Sequence, residues 1–341
     1  MVTNQYLKWL SETPSYWWHD SAVFAGIDQA IENGATGVTT NPILVKRSLY
    51  ANPEFWRPYI QGARGLKGDA KIEEIVRSVT VEIAKKFFPV YQASHGSQGY
   101  VCAQVNPIYQ GDAEMMFDIG KRLAGWAPNI AVKLPSTAAG IDAIEGLTAI
   151  GVTTVGTVSF TVPQVLEVSR RQQLGIKRAE SAGIKPGAAF SVVMSGRLDD
   201  YLRDISKDCR AGLSESDIIQ SGTACLKRAY AICKERGYVS KPIPAGLRGA
   251  YHVTALSGAD MVMSLAVNIQ EFLSNETEFA MHIDEPVAGD VINRLMALPE
   301  FARAYEPDGM KPEEFIAYGA TQRTLAQFIE AGWLPVGEIE V

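Results

Sequence analysis

The stretch Asn129-Ile130-Ala131-Val132-Lys133-Leu134-Pro135, followed by Ala138 to Ala149, then Gly151 and Val152 to Ser159, reads as strand, helix, turn and strand. Side chains alternate faces along a strand, so Lys133 shares one side with small Ala131 while Ile130, Val132 and Leu134 fill the other. The ammonium then points into an enclosed, crowded space. Burial disfavours the charged form of an amine, and the neutral form is the nucleophile. The rival reading is an edge-strand lysine whose head snorkels to solvent. What surrounds the strand decides between them.

The same alternation extends in both directions and repeats about eight times. Before the lysine strand, Tyr16 to Asp20 is a first strand and Phe24 to Asn33 a short helix stopped at Gly34. A second strand, Thr36 to Thr40, ends in Asn41-Pro42, and a third, Tyr100 to Val105, ends in Asn106-Pro107. Between them Ile72, Ile75, Val76 and Val79 recur at helical spacing in a helix over Ile72 to Gln92, and a helix over Ala113 to Ala124 precedes Lys133. Beyond the fifth strand, Val152 to Ser159, come a helix over Pro163 to Ala182, a strand over Gly187 to Met194 and a helix over Ser214 to Gly237. Strands over Lys241 to Ala245 and Gly258 to Ser264 complete the set.

Eight parallel strands with interleaved helices close into a barrel more naturally than they form an open sheet. The expected class is therefore α/β, a (β/α)8 TIM barrel in a single domain with extra helices at both ends. The barrel, with a short N-terminal helix, is expected over 1–275, and a C-terminal helical extension packed on it over 276–341. The first fifteen residues are expected to cover the barrel's N-terminal end.

Composition agrees with an ordinary globular protein and removes several alternatives. With 341 residues, 47% hydrophobic and 21% charged, the chain can bury a large core. A net charge of −6 gives no electrostatic footprint for nucleic acid, so an anionic ligand would need a local basic site. The four cysteines, Cys102, Cys209, Cys225 and Cys233, form no C-x-x-C pair, and no metal site or disulfide framework is expected. Neither a signal-peptide pattern nor an apolar run of membrane-spanning length is present, which points to a cytoplasmic protein without membrane partners. P-loop, G-x-G-x-x-G, G-x-S-x-G and H-E-x-x-H motifs are missing, so nucleotide chemistry and zinc hydrolysis lose their usual support. The aromatics Phe301, Tyr305, Phe315, Tyr318 and Phe328 could close over the barrel mouth or meet a second subunit in a homo-oligomer.

In such barrels chemistry sits at the C-terminal ends of the strands. The polar residues there are Asp20 after strand one, Asn41 after strand two, Gln104 late in strand three, Lys133 in strand four and Thr157 in strand five. Parity agrees: Trp18 shares a face with Asp20, Cys102 with Gln104, and Val155 with Thr157. Arg197, in Ser195-Gly196-Arg197-Leu198-Asp199-Asp200, and Arg248, in Ala245-Gly246-Leu247-Arg248-Gly249, each directly follow a strand. Guanidinium groups suit a bidentate phosphate, sulfonate or carboxylate, and Gly246 and Gly249 let backbone N–H groups approach a ligand. The bland alternative is a structural ion pair of Arg197 with Asp199 or Asp200.

With these residues in place the sequence resembles the transaldolase family, including its fructose-6-phosphate-aldolase-like branch. The resemblance runs through Gly37-Val38-Thr39-Thr40-Asn41-Pro42, Cys102-Ala103-Gln104-Val105, Ala131-Val132-Lys133-Leu134-Pro135-Ser136-Thr137 and Ser195-Gly196-Arg197-Leu198-Asp199-Asp200. It implies a class I enzyme without metal or organic cofactor, with Lys133 as the Schiff-base lysine and Asp20 as acid/base. Gln104 and Thr157 would hold the water that shuttles protons. Thr39, Asn41, Arg197, Arg248, Gly246 and Met194 would contact a sugar phosphate or similar anionic sugar. Transaldolases commonly carry glutamate at Gln104, whereas the aldolase-like branch carries glutamine. Met194 matches neither the tyrosine of that branch nor the phenylalanine of the transferring one. Gly246 replaces a common serine, and Val155 an asparagine. Three outcomes follow: transfer of a dihydroxyacetone unit, aldol cleavage releasing free dihydroxyacetone, or a sugar-phosphate-binding paralogue without turnover.

Overall fold

The computed structural model describes residues 4–340, so the outermost residues of both expected segments, 1–3 and 341, lie outside it. Among the described residues the strands are β1 (Tyr16–His19), β2 (Gly37–Val38), β3 (Tyr100–Gln104), β4 (Ile130–Pro135), β5 (Thr154–Thr157), β6 (Ala189–Val193), β7 (Lys241–Pro244) and β8 (Val262–Leu265). They form one sheet in the order β7-β6-β5-β4-β3-β2-β1-β8, every ladder parallel. β7 and β8 lie side by side, which brings the two edges together into a nearly closed (β/α)8 barrel.

Helices cover the outer face, so β3, β4, β5 and β6 are buried along their whole length. Inside, Trp18, Tyr100 and Phe190 meet ring to ring, with centroids 4.9 Å apart for Trp18 and Phe190 and 5.9 Å for Tyr100 and Phe190. These rings fill the lower lumen. Ligand access is left to the C-terminal ends, where Gln104, Lys133 and Val155 lie level in consecutive strands.

Several strands stop short of their expected ends. The backbone N–H of Asp20 still donates to Leu265 O, Val105 to Lys133 O, Met194 to Ser159 O and Ala245 to Val193 O. Positions just beyond the strands are therefore still pinned to their neighbours. β2 is reduced to two residues, and just beyond it Asn41 caps the helix Pro42–Ala51, its Oδ1 accepting from Ile43 N and Leu44 N at 3.0 Å. The eighth strand begins four residues later than expected, since Gly258, at φ +87°, and Ala259 form a turn ahead of it. The helix expected over Ser214 to Gly237 is two, Glu215–Ile218 and Ser221–Glu235, broken where Ser221 Oγ donates to Ile218 O. The sequence reading assigned no helix to Pro42–Ala51, Pro53–Gly62 or Ser195–Asp208.

The chain ends differ in how they meet the barrel. The helix Gln5–Ser11 buries Tyr6, Leu7 and Leu10 and packs against β1 and the helix Val267–Leu273. Asn4 fixes it there: its side chain caps Leu7 N and its amide donates to Gln270 O at 2.7 Å. At the other end Phe301, Phe315, Tyr318 and Phe328 are buried within the chain itself. The helix Gly319–Phe328 brings Gln327 and Phe328 to the barrel mouth. No helix among the described residues is long and apolar enough to cross a membrane.

Candidate active site

Asp20 emerges from β1 between β8 and β2, and both neighbours act on it. Thr39 N donates to His19 O, which sets Thr39 beside the carboxylate, and Thr39 Oγ1 donates to Asp20 Oδ1 at 2.7 Å. Ser264 Oγ lies 2.6 Å from Thr39 Oγ1. Lys133 is 6% exposed, and its Nζ makes one long bond to Thr40 O at 3.5 Å. Among the described residues no carboxylate pairs with it. Gln104 Oε1 and Thr157 Oγ1 are buried without a hydrogen-bond partner in the protein, so both remain available beside the lysine.

A cavity of about 260 Å³ is lined by Asp20, Asn41, Lys133, Thr157, Arg197 and Arg248, with Met194 and Gly246 in the same wall, whereas Gln104 and Thr39 lie behind its lining. Asn41 spends its carbonyl oxygen on the helix cap, which leaves the amide nitrogen as the group it can offer a ligand. A larger hollow of about 530 Å³ lies between the helix Ser221–Glu235 and the segment around His282, and it holds none of these residues. Its lysine, Lys227, is spent on His282 O and Glu285 O.

Arg197 arrives in the first turn of the helix Ser195–Asp208 and Arg248 on the loop after β7, and the two segments touch. A Cβ on Gly196 would fall 2.4 Å from Gly246 O, so this approach requires glycine at 196, while Gly246 itself sits at φ +59°, a backbone conformation that favours glycine. Arg248 is held by Asp200 Oδ2, at 2.9 Å from Nε and 2.6 Å from Nη2, and donates from Nη1 to Gly246 O. Although burial pushes the Asp200 carboxyl up, hydrogen bonds from Arg248 and Arg203 hold it below the usual range. Arg197 differs. Its Nη1 donates to Gln327 Oε1 at 2.5 Å and its guanidinium lies over Phe328, with no carboxylate partner among the described residues. Burial, then the adjacent Arg248 cation, lowers its pKa. The ion pair of Arg197 with Asp199 or Asp200 is not made. A cation that loses solvent beside a second cation is stabilised by an anion between them.

Behind the loops is a buried pair that sequence reasoning missed. Arg248 N donates to His252 Nδ1 at 3.2 Å, so Nε2 carries the ring hydrogen and donates to Asp199 Oδ2 at 2.9 Å. Asp199 Oδ1 accepts from Ser221 Oγ and Gly222 N, both at 2.8 Å, and His252 and Asp199 are both fully buried. Burial raises the Asp199 carboxyl, opposed by the His252 hydrogen bond. The pair ties the Arg248 loop to the helix that carries Arg197. Replacing His252 by phenylalanine should therefore cost about 3 kcal/mol of stability, because it strands a buried carboxylate. Denaturant unfolding checks this, and an unchanged midpoint would show that the pair does not brace the loops.

Sequence reasoning also missed Ser264, Arg47, Asn268, Gln327 and Phe328, which line the same cavity. Ser264 carried a signal, since alternation along β8 turns it inward. Arg47, Asn268, Gln327 and Phe328 lie on helices, where a single residue facing a ligand leaves no periodic mark.

The transaldolase/fructose-6-phosphate aldolase family model matches residues 17–315. A transaldolase of Thiobacillus denitrificans is 28% identical over 178 residues, covering 49% of this chain and 48% of the relative. Transaldolase 1 of Streptomyces avermitilis is 30% identical over 199 residues, 57% of this chain and 52% of the relative. A transaldolase of Mycobacterium leprae is 28% identical over 209 residues, 57% and 53% respectively. The matched region thus spans about half the length of these relatives.

Proposed function

This chain belongs to the transaldolase/fructose-6-phosphate aldolase family, and we propose that it cleaves an anionic-tailed ketose through a Schiff base on Lys133, passing a dihydroxyacetone unit to an acceptor aldehyde. The observation that carries the reading is one cavity holding a buried amine, a carboxylate with one oxygen engaged, and a guanidinium lacking a carboxylate partner.

The amine of Lys133 adds to the C2 carbonyl, and the carbinolamine loses water to give a protonated imine. Gln104 and Thr157, their polar atoms otherwise unengaged, hold the water that moves protons in this step. Asp20 takes the C4 hydroxyl proton as the C3–C4 bond breaks. The bonding pair flows into the imine, leaving an enamine on Lys133 and releasing an aldehyde. The enamine carbon then attacks the acceptor aldehyde, Asp20 returns its proton to the new hydroxyl, and hydrolysis of the imine frees Lys133. Arg197 and Arg248 hold the anionic tail, and Thr39, Asn41, Met194 and Gly246 shape the space between tail and lysine.

Hydrolysis of the enamine to free dihydroxyacetone is the second reading, supported by Gln104 in place of the glutamate of the transferring branch. Gln327 and Phe328 line the same cavity, and side chains that exclude water from the enamine favour transfer. Borohydride reduction during turnover of ketose phosphates, with and without an acceptor aldehyde, tests both. The expected result is a stable adduct on the peptide that contains Lys133, with new ketose formed when acceptor is present. An adduct elsewhere, or none, overturns the Schiff-base role. Free dihydroxyacetone as the main product in the presence of acceptor overturns transfer.

A further inference from the structure

Ser264, in β8, has no part in the mechanism above. Its Cα pairs with that of Trp18, two residues below Asp20 on the same strand face, and it points into the lumen, where it is 2% exposed and lines the cavity of Lys133. A buried hydroxyl is costly unless it is hydrogen-bonded, and an apolar residue would satisfy the strand equally well. Among the described residues the Ser264 hydroxyl has one partner, Thr39 Oγ1, at 2.6 Å.

The direction of that bond follows from counting hydrogens. A threonine hydroxyl has one, and Thr39 gives it to Asp20 Oδ1 at 2.7 Å. The hydrogen between the two hydroxyls therefore belongs to Ser264, and the chain runs from Ser264 to Thr39 to Asp20. Successive bonds in such a chain polarise one another, so Thr39 becomes a stronger donor. We propose that Ser264 is a positioning residue for the cleavage step: through Thr39 it fixes Oδ1 and the plane of the carboxylate, so that Oδ2 is presented to the C4 hydroxyl. When Oδ2 takes the proton, neither hydroxyl in the chain has to turn. Without Ser264, Thr39 loses the donor that sets its orientation, and the carboxylate loses its fixed edge.

The inference rests on Asp20 as the base, and the experiment separates the two. In the full chain, with a ketose phosphate that supports turnover, Ser264→Ala should lower kcat by about five- to tenfold, the effect of one lost hydrogen bond. KM and the yield of the borohydride adduct on Lys133 should stay unchanged, and Ser264→Thr, which keeps a hydroxyl, should recover most of the rate. Equal losses in the alanine and threonine variants, or a loss confined to KM, would overturn the role. In an Asp20→Asn background Ser264→Ala should add nothing, and a further loss of the same size would show that Ser264 acts independently of the carboxylate. If Asp20→Asn alone leaves turnover intact, the base assignment fails. If that variant loses turnover while Ser264→Ala is silent, only the positioning role fails.

Discussion

Asp20→Asn should lower turnover by roughly a hundred- to ten-thousandfold, the range of a lost general base, while leaving the Lys133 adduct trappable. The substitution keeps shape: an amide oxygen can still accept from Thr39 Oγ1, which now meets Asp20 Oδ1 at 2.7 Å. What disappears is the capacity to take a proton from the C4 hydroxyl. Imine formation precedes that transfer and draws on Gln104 and Thr157, so imine should accumulate ahead of the blocked step. A burst of reducible adduct without aldehyde release is the expected signature in a single-turnover experiment. Unchanged turnover would remove Asp20 from the acid/base role, and loss of the adduct along with turnover would place it in imine formation instead.

The barrel was legible because β/α alternation is a local pattern repeated many times, and an error at one boundary does not disturb the order. The helices Ala113–Ala124 and Ala138–Ala149 agree with their expected bounds because apolar periodicity and a cap coincide at each. Pro42–Ala51 was not legible, since its start depends on Asn41 folding back onto Ile43 N and Leu44 N, a contact with no hydrophobic period of its own. In the site, Asp20, Gln104, Lys133 and Thr157 could be read because strand parity fixes which side chains face the lumen. Arg197 and Arg248 could be read as following strands, but not their unequal pairing. That inequality depends on Asp200 reaching across to Arg248 and on Gln327 arriving from the C-terminal helix, contacts spanning 48 and 130 residues of chain. His252 and Asp199 stayed hidden for the same reason, being 53 residues apart in sequence and 2.9 Å apart in space.

Unequal pairing makes the two arginines respond differently to removal. Arg197→Ala deletes the guanidinium that lacks a carboxylate partner, and KM for a ketose phosphate should rise by about tenfold or more, the effect of one charged hydrogen bond. Arg248→Ala deletes a cation and also exposes Asp200, which keeps its bond to Arg203 Nη1 at 2.7 Å but loses both bonds from Arg248. A carboxylate released beside the anionic tail repels it, so KM should rise further, to about a hundredfold, although Arg248 is the more exposed of the two. The double variant Arg248→Ala with Asp200→Ala should recover part of that loss, because it removes the repulsion without restoring attraction. For an uncharged ketose the same substitutions should change KM by only about twofold, since neither attraction nor repulsion has a charge to act on. Steady-state kinetics on a phosphorylated and an unphosphorylated ketose measure all of these quantities. Equal effects on the two sugars would show that the arginines brace the loops rather than hold an anion. A double variant worse than Arg248→Ala would show that Asp200 supports the loop and does not oppose the ligand.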